Sequence, residues 1–549
     1  MKTEMNEFVR KTLDQLKREK EPYLPLMKKA AAYMRHRVYE KNANIDKVPI
    51  NSTVPIDAVQ TTIHGVCGYL LSPSIRWFRM ITRGSNFEKS DDLYGANDWV
   101  EDSQNCIYAL YANSKFYPSD QMAVADSIIT GTSYEMITDK SSERKLLFET
   151  YSPFECYGAE NENGEPDTFF REYKMTAKQA YKMFGEKLPD KIKECVTKLD
   201  NPNTEFTFVH AIFPRDDWDD KPFAIATRKK FASVHYSETE DTVIKESGYD
   251  EFPVAIHRWE KNGSSFYGMG LVMRYITEII RINDLTKQND IAIQFQASPT
   301  TIVPEALKNR FVYRPGYTNY ANIQQTGKPE IISNQLNINY LGQQLIDLEQ
   351  KLHRVLFADL FNILMRQEKT RTAYEVQEIK GEGLVLLSAI IGNMQVEKLN
   401  PIVVRTFRIM LRGGMLPPPP EALLKASREG RVEIELDGPL AQTMKQYHQA
   451  TGLQQGLSSI AAVAQLFPDE LAQFDGGEIA RQFATAQGLP QSCIREKSDV
   501  QKIKQAQAEA QQQQAQQQAA LAQSQIYKNM GYDASTVPGN VPAPVGGVM

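Results

Sequence analysis

The chain has 549 residues, 63 Lys and Arg against 68 Asp and Glu for a formal charge of −5, 42% hydrophobic residues and five cysteines. At roughly 150 residues per domain this allows about three or four modules around a large core, which excludes a disulfide-stapled miniprotein and a disordered hub. The negative balance argues against a protein that grips nucleic acid over much of its surface, because phosphate neutralisation needs clustered Lys and Arg.

From the N-terminus, the run Met5 to Lys20 is charged and amphipathic where a secretory signal would need an apolar centre. Spaced apolar residues predict helices over 8–16, 26–38, 58–71, 95–114 and 119–129. Between 133 and 244 the period falls towards two, which predicts strands over 207–213 and 223–234 and a turn at Asn161-Glu162-Asn163-Gly164. One short helix interrupts them, with Thr176 as N-cap and a stop at Phe184 before Gly185. The five cysteines, Cys67, Cys106, Cys156, Cys195 and Cys493, are odd in number and form no CxxC pair, which points to a reducing compartment without structural disulfides.

Residues 271–295 form a long helix candidate, and a second, from about 340, carries Leu341, Leu345, Leu348, Leu352, Leu356, Leu360 and Ile363 in three- and four-residue steps. Each would span ~38 Å at 1.5 Å per residue. The intervening 297–336 holds Pro299, Pro304, Pro315, Gly316, Gly327 and Pro329, so it reads as a small non-helical insert at the far end of a two-helix stalk. A basic connector follows, with Arg366, Lys369 and Arg371 against Glu368, and then a helical pattern over 373–412 that Pro401 should kink. Gly413-Gly414 stops it, a tetraproline at 417–420 follows, and 432–436 reads as a short strand. Residues 440–490 suggest short packed helices. The Gln/Ala tract 505–525 is compatible with disorder or with a helix that needs neighbours, and the tail after 530 has no period. The most apolar stretches, 384–391 and 402–411, fall short of the ~18 to 20 residues of a spanning helix, so the chain is expected to be soluble and made in the cytosol.

No chemistry-bearing pattern stands out. GxxxxGK[ST], HExxH and GxSxG are absent, and Tyr267-Gly268-Met269-Gly270 lacks the third glycine of a dinucleotide loop. His64 and Cys67 share a helical face but have no partner pair for zinc. Asp216-Asp217-Trp218-Asp219-Asp220, between Pro214 and Pro222, reads as a solvated loop in preference to a Mg²⁺ site. The expectation is therefore no catalytic residue, no metal, no cofactor and no enzyme.

At Leu71-Ser72-Pro73-Ser74-Ile75-Arg76-Trp77-Phe78 the chain resembles the portal, or head-to-tail connector, proteins of short-tailed bacteriophages. The resemblance continues in order through Asp126 with Gly131-Thr132, Asp167-Thr168-Phe169-Phe170-Arg171-Glu172-Tyr173 with Met175-Thr176-Ala177 and Phe184-Gly185, and Trp259-Glu260 with Tyr267-Gly268-Met269-Gly270. Asn283-Asp284-Leu285, Arg314-Pro315-Gly316 and Thr372-Ala373-Tyr374-Glu375-Val376 complete it; Tyr374 departs from the Thr commonly found there.

That resemblance implies an α+β, mainly α fold assembled as a twelve-subunit ring. Residues 1–266 would form the wing, 267–296 and 337–364 the two stem helices, 297–336 the clip and 365–372 the channel loop. Residues 373–438 would return to the wing, 439–494 form the crown, 495–530 a helical barrel and 531–549 a flexible tail. The implied function is a conduit at one capsid vertex of the virion, assembled in the host cytoplasm, through which double-stranded DNA is packaged, held and ejected. The implied partners are that DNA, the terminase large subunit, tail adaptor proteins and the major capsid and scaffolding proteins, with no membrane. DNA contacts are expected from Arg366, Lys369 and Arg371, then Lys287 in the stem and Arg310 and Arg314 in the clip. The alternatives are another ring of the head-tail junction, an adaptor or stopper, and a metal-dependent nuclease using the Asp216–Asp220 cluster. Twelve copies would carry about −60, so the charge that argues against a gripping protein suits a wall along which DNA slides.

Overall fold

The computed structural model describes residues 2–40, 43–74, 76–82, 90–140, 145–197, 201–215, 229–314, 317–332, 338–365, 392–421 and 432–435 of one compact unit, 1–444. Of a second unit, 445–549, it describes 476, 477, 479, 480, 503, 505–507, 509, 510, 512–519, 521 and 522. The described elements are α-helices and antiparallel sheets, an α+β architecture.

Helices α1 (Lys2–Lys20), α2 (Leu24–Met34) and α3 (Val54–Leu70) come first, the last two with a proline in their first turn, where its missing N–H costs nothing. Strand β1 (Arg79–Thr82), α4 (Ser90–Ala112) and α5 (Phe116–Thr130) follow, and α5 ends at Gly131 with φ 88°. The five helices expected from periodicity all fall on these. Only α2 is clearly shorter than expected, because Arg35 and Arg37 take positive φ (52° and 53°). That turn delivers His36 Nε2 and Arg37 Nε and Nη2 to the carboxylate of buried Asp126, at 2.6 to 2.7 Å.

Two sheets follow. Strands β2 (Thr132–Lys140) and β3 (Lys145–Tyr151) join β9 (Val254–Arg258) in the order β3-β2-β9. Strands β4 (Cys156–Glu160), β5 (Pro166–Thr176), β6 (Glu205–Pro214), β7 (Phe231–Ser237) and β8 (Thr242–Tyr249) form a five-stranded meander. The expected turn closes β4 to β5: Asn161 Oδ1 accepts from the N–H groups of Asn163 and Glu165, and Gly164 takes φ 78°. The expected strand over 223–234 begins at Phe231 among the described residues, and 216–228, with the Asp216–Asp220 cluster, lie outside them.

Alternation sorts the meander's faces. Phe170, Ala211, Phe213, Ala232 and Val234 lie under Met5, Val9, Leu13 and Leu16, the apolar stripe of α1. Phe169, Ile212 and Phe231 face Tyr134, Met136, Val254 and Ile256 of the three-stranded sheet. Between β5 and β6, α6 (Ala177–Phe184) and α7 (Asp190–Thr197) cover Tyr173, Phe208 and Ile244. α6 starts and stops where the sequence placed it, with a reciprocal Thr176–Gln179 capping box and Gly185 at φ 57°. The back of the three-stranded sheet, with Ile137, Phe148 and Ala255, lies on the helical core, where Trp77 stacks on Tyr111 and Phe116 at 6.0 and 5.9 Å.

A turn of helix, α8 (Leu271–Arg274), leads through Tyr275 into α9 (Ile276–Ala297). After it come β10 (Thr300–Ile302), α10 (Ile323–Thr326), β11 (Glu330–Ile332) and α11 (Ile338–Val355). The leucine run predicted one helix through Ile363, but the structure breaks it at Phe357 (φ 62°) and restarts it as α12 (Ala358–Met365). The cause is packing on α3. Thr62 Oγ1 donates to the Leu356 carbonyl, and the Phe361 ring occupies the space that a side chain at Gly65 would take.

The chain re-enters the described residues at 392 in a helix interrupted by a π turn, Gln395–Leu399, and continued as α13 (Asn400–Arg412). The irregularity expected at Pro401 thus falls one turn earlier. Pro401 has no N–H for the Glu397 carbonyl and its ring would crowd that group; widening the preceding turn, with Asn400 N–H bonding to Gln395, relieves both. Strand β12 (Val432–Glu435) pairs with β1. In the second unit, the described part of the Gln/Ala tract is helical and exposed; the segments expected as crown and tail lie outside the described residues apart from 476, 477, 479 and 480. No described helix is long and apolar enough to cross a membrane.

Candidate functional site

Several residues that carry the resemblance hold the frame together. Gly131 Cα faces the Gly268 carbonyl, and a Cβ on Gly270 would stand 2.7 Å from the Gly131 nitrogen, so two backbone segments cross where side chains have no room. Trp259 N–H donates to the Gly131 carbonyl, and the Thr132 hydroxyl accepts from Gly268 N–H. Asn283 Oδ1 accepts from Asn51 N–H at 2.6 Å while its amide donates to the Pro49 carbonyl, pinning α9 to the loop before α3. Tyr267-Gly268-Met269-Gly270 is therefore a crossing point between segments.

Burial sets the electrostatics of the same unit. Lys20 is fully enclosed, donates to the carbonyls of Pro153 and Cys156 and lies 4.5 Å from the Tyr157 ring centre; burial lowers its pKa to about 8. Burial likewise pushes the thiols of Cys67 and Cys156 up to about 12, so neither is a ready nucleophile. A cleft of about 300 Å³ is lined by Arg37, Glu40, Ser152, Glu155, Arg171 and Lys174 among others. Its arginines are committed: Arg37 to Asp126 and Glu40, and Arg171 to Glu155, with the Arg171 guanidinium 3.9 Å from the Tyr151 ring. Among the described residues no three His, Cys, Asp or Glu side chains gather as metal ligands.

The surface that calls for a partner is the α9/α11 pair and the module between them. Lys351 on α11 bonds Glu278 on α9 at 2.9 Å, and Leu348 and Leu352 are buried between the helices and the core. Towards the C-terminal end of α9, Ile291, Ile293 and Phe295 are exposed. Residues two apart are rotated by ~200° on a helix, so this apolar surface lies on more than one side. Tyr340 and Ile346 are exposed on α11.

In the module, β10 and β11 pair with each other and with no other strand among the described residues, and Asn319 closes a loop by donating to and accepting from the backbone of Val312. Val312, Tyr313, Tyr317, Ile323, Ile331 and Ile332 lie in water, as does Tyr320, 93% exposed. A two-stranded sheet of three-residue strands is marginal alone, and the exposed aromatic and aliphatic groups of this module offer what a contact surface needs. Sequence reasoning missed these side chains. Their signal is a tyrosine at every third or fourth position from Tyr313 to Tyr320 in a segment without helical period.

Of the basic residues singled out from sequence, Lys287 is exposed on α9, three residues from both Asp284 and Asp290. Arg310 and Arg314 are exposed in the module. Arg366, Lys369 and Arg371 lie outside the described residues.

Comparison with known proteins adds the remaining finding. The family of bacteriophage head to tail connecting proteins matches residues 6–494. The portal protein of Salmonella phage epsilon15 is 28% identical over 457 residues, covering 81% of this chain and 79% of that protein. The probable portal protein of Bordetella phage BPP-1 is 25% identical over 494 residues, 88% of this chain and 85% of that protein.

Proposed function

The chain belongs to the family of bacteriophage head to tail connecting proteins, and from that premise we propose that it is a portal. In this reading twelve copies close into a ring at one capsid vertex, around a channel for the packaging, retention and ejection of double-stranded DNA. The observation that supports assembly is the exposed apolar surface of α9, α11 and the intervening module, from Ile291 to Ile346. Neighbouring copies on both sides remove it from water, each square ångström of apolar area contributing ~25 cal/mol.

The α9/α11 pair then serves as stem and the β10–β11 module as clip, presented first to the terminase large subunit and later to tail adaptor proteins. The sheets and helical core form the wing, against scaffolding and coat. The Gln/Ala helix, with no apolar stripe of its own, is stabilised as one of twelve in a barrel. Arg366, Lys369 and Arg371, with Lys287, Arg310 and Arg314, supply sparse positive rings in a wall of net negative charge. The ring is a conduit and docking platform and performs no chemistry.

The direct test is assembly of heads without this protein. The expected result is capsids empty of DNA, and DNA-filled heads formed in its absence would overturn the reading.

A further inference from the structure

Beneath the π turn Gln395–Leu399 lies a cluster of buried charge that the frame alone does not require. Lys398 Nζ is 2.7 Å from Asp120 Oδ1 and 3.8 Å from Glu135 Oε2, and all three side chains are at most 2% exposed. One ammonium faces two carboxyls, so full ionisation would leave a buried net negative charge, which low dielectric makes costly. Glu135 makes no hydrogen bond of good geometry among the described residues, and the Ser119 hydroxyl beside it offsets only a small part of its burial. That hydroxyl also bonds the Thr150 hydroxyl, whose own proton goes to the Ser119 carbonyl. Neutral pH is met by retaining one proton: burial raises both carboxyls, Glu135 to about 8, while the two carboxylates hold Lys398 charged against its desolvation.

The neighbouring residue is anchored as well. Glu397 accepts from the backbone and side chain of Arg258, at 2.9 and 3.0 Å, and Asn393 donates to the Arg258 carbonyl. On a regular helix, positions 397 and 398 point ~100° apart; the widened turn lets both reach β9 and the β2/α5 seam while Val396 stays 67% exposed. Downstream, α13 is docked independently, since Arg405 donates to the carbonyls of Ile137 and Glu251. The π turn is thus the boundary between a docked helix and the chain that leads into it.

We propose that Gln395–Leu399 is a pivot, locked by the Lys398–Asp120–Glu135 cluster, and that loss of the cluster's one carboxyl proton unlocks it. Unlocked, the turn relaxes towards α register, which rotates 392–394 against α13 by ~100° and shifts them ~1.5 Å per residue of slip. The inference does not rest on the portal reading.

The other groups facing the cluster do not titrate in the same range. His257 on β9 is held neutral, its pKa lowered to about 3 by burial and by Lys398 and Arg258. Cys67 on α3 is pushed up to about 12, and burial raises Tyr111 on α4 and Tyr117 on α5. Arg258 stays charged against Glu397 and Glu160. The sign follows: a carboxyl raised in the fold contributes stability at low pH that is lost as pH rises through about 8.

The test is amide hydrogen exchange on the full-length protein at pH 7 and pH 9, corrected for intrinsic rates. Wild type is expected to lose about tenfold protection over 393–400, the most that one proton titrating near 8 can supply between these pH values, while 402–410 and the β2–β3 pair stay protected. Glu135→Gln, which mimics the protonated carboxyl, is expected to hold its protection at both pH values. No loss in wild type, or the same loss in E135Q, would overturn the proposal. Lys398→Met should lack protection at pH 7 already, and its failure to fold would leave the E135Q comparison intact. Exchange needs neither DNA nor capsid, so its outcome is independent of whether the portal reading stands.

Discussion

Gly131 shows what the family-like residues do. It combines φ 88°, which penalises any side chain, with a position where an added Cβ would stand 2.1 Å from the Gly268 carbonyl oxygen. Gly131→Ala should therefore cost ~3 kcal/mol, from left-handed backbone strain and overpacking together, and lower the unfolding temperature of the purified protein. An unchanged transition would mean that the crossing is not tight. Trp77 is a parallel case: fully buried among Phe78, Tyr108, Tyr111 and Phe116, it serves the core and touches no site.

At the scale of elements, the module between β10 and β11 exposes more apolar surface than a two-stranded hairpin can justify by itself. Replacing Tyr313, Tyr317 and Tyr320 by Ser should weaken ring closure and leave the wing folded, read as a shift to smaller species in size-exclusion chromatography with unchanged circular dichroism. Persistence of full-size rings would show that the tyrosines face elsewhere. That 297–336 is not one continuous helix was legible because prolines and glycines from Pro299 to Pro329 run through it, and α6 was legible because its cap and stop are local. The break at Phe357 was not legible: leucine spacing continues through it, and only the contact of Thr62, Gly65 and Phe361 across 290 or more residues decides it. The π turn was half legible, since Pro401 announces a disturbance but Lys398, buried against Asp120 and Glu135, determines where it falls. The buried cluster left no sequence signal, because its members are 15 to 278 residues apart.

For the whole molecule, a charge of −5 per chain, about −60 for the proposed twelve copies, would suit a channel in which adhesion to phosphate is friction. The basic positions that line a channel then matter by location, and of the six singled out Arg366, Lys369 and Arg371 fall within six residues of one another. Neutralising all three should reduce DNA packaging or retention without affecting ring assembly, as scored by the DNA content of purified heads; wild-type filling would remove them from the channel account. The central claim is that this chain is one wedge of a closed ring. The most direct measurement is mass combined with electron-microscopic imaging of the assembled protein. The account predicts a ring with a central hole and, for twelve subunits of 62.3 kDa, about 748 kDa; a monomer or small compact oligomer without a channel would contradict it.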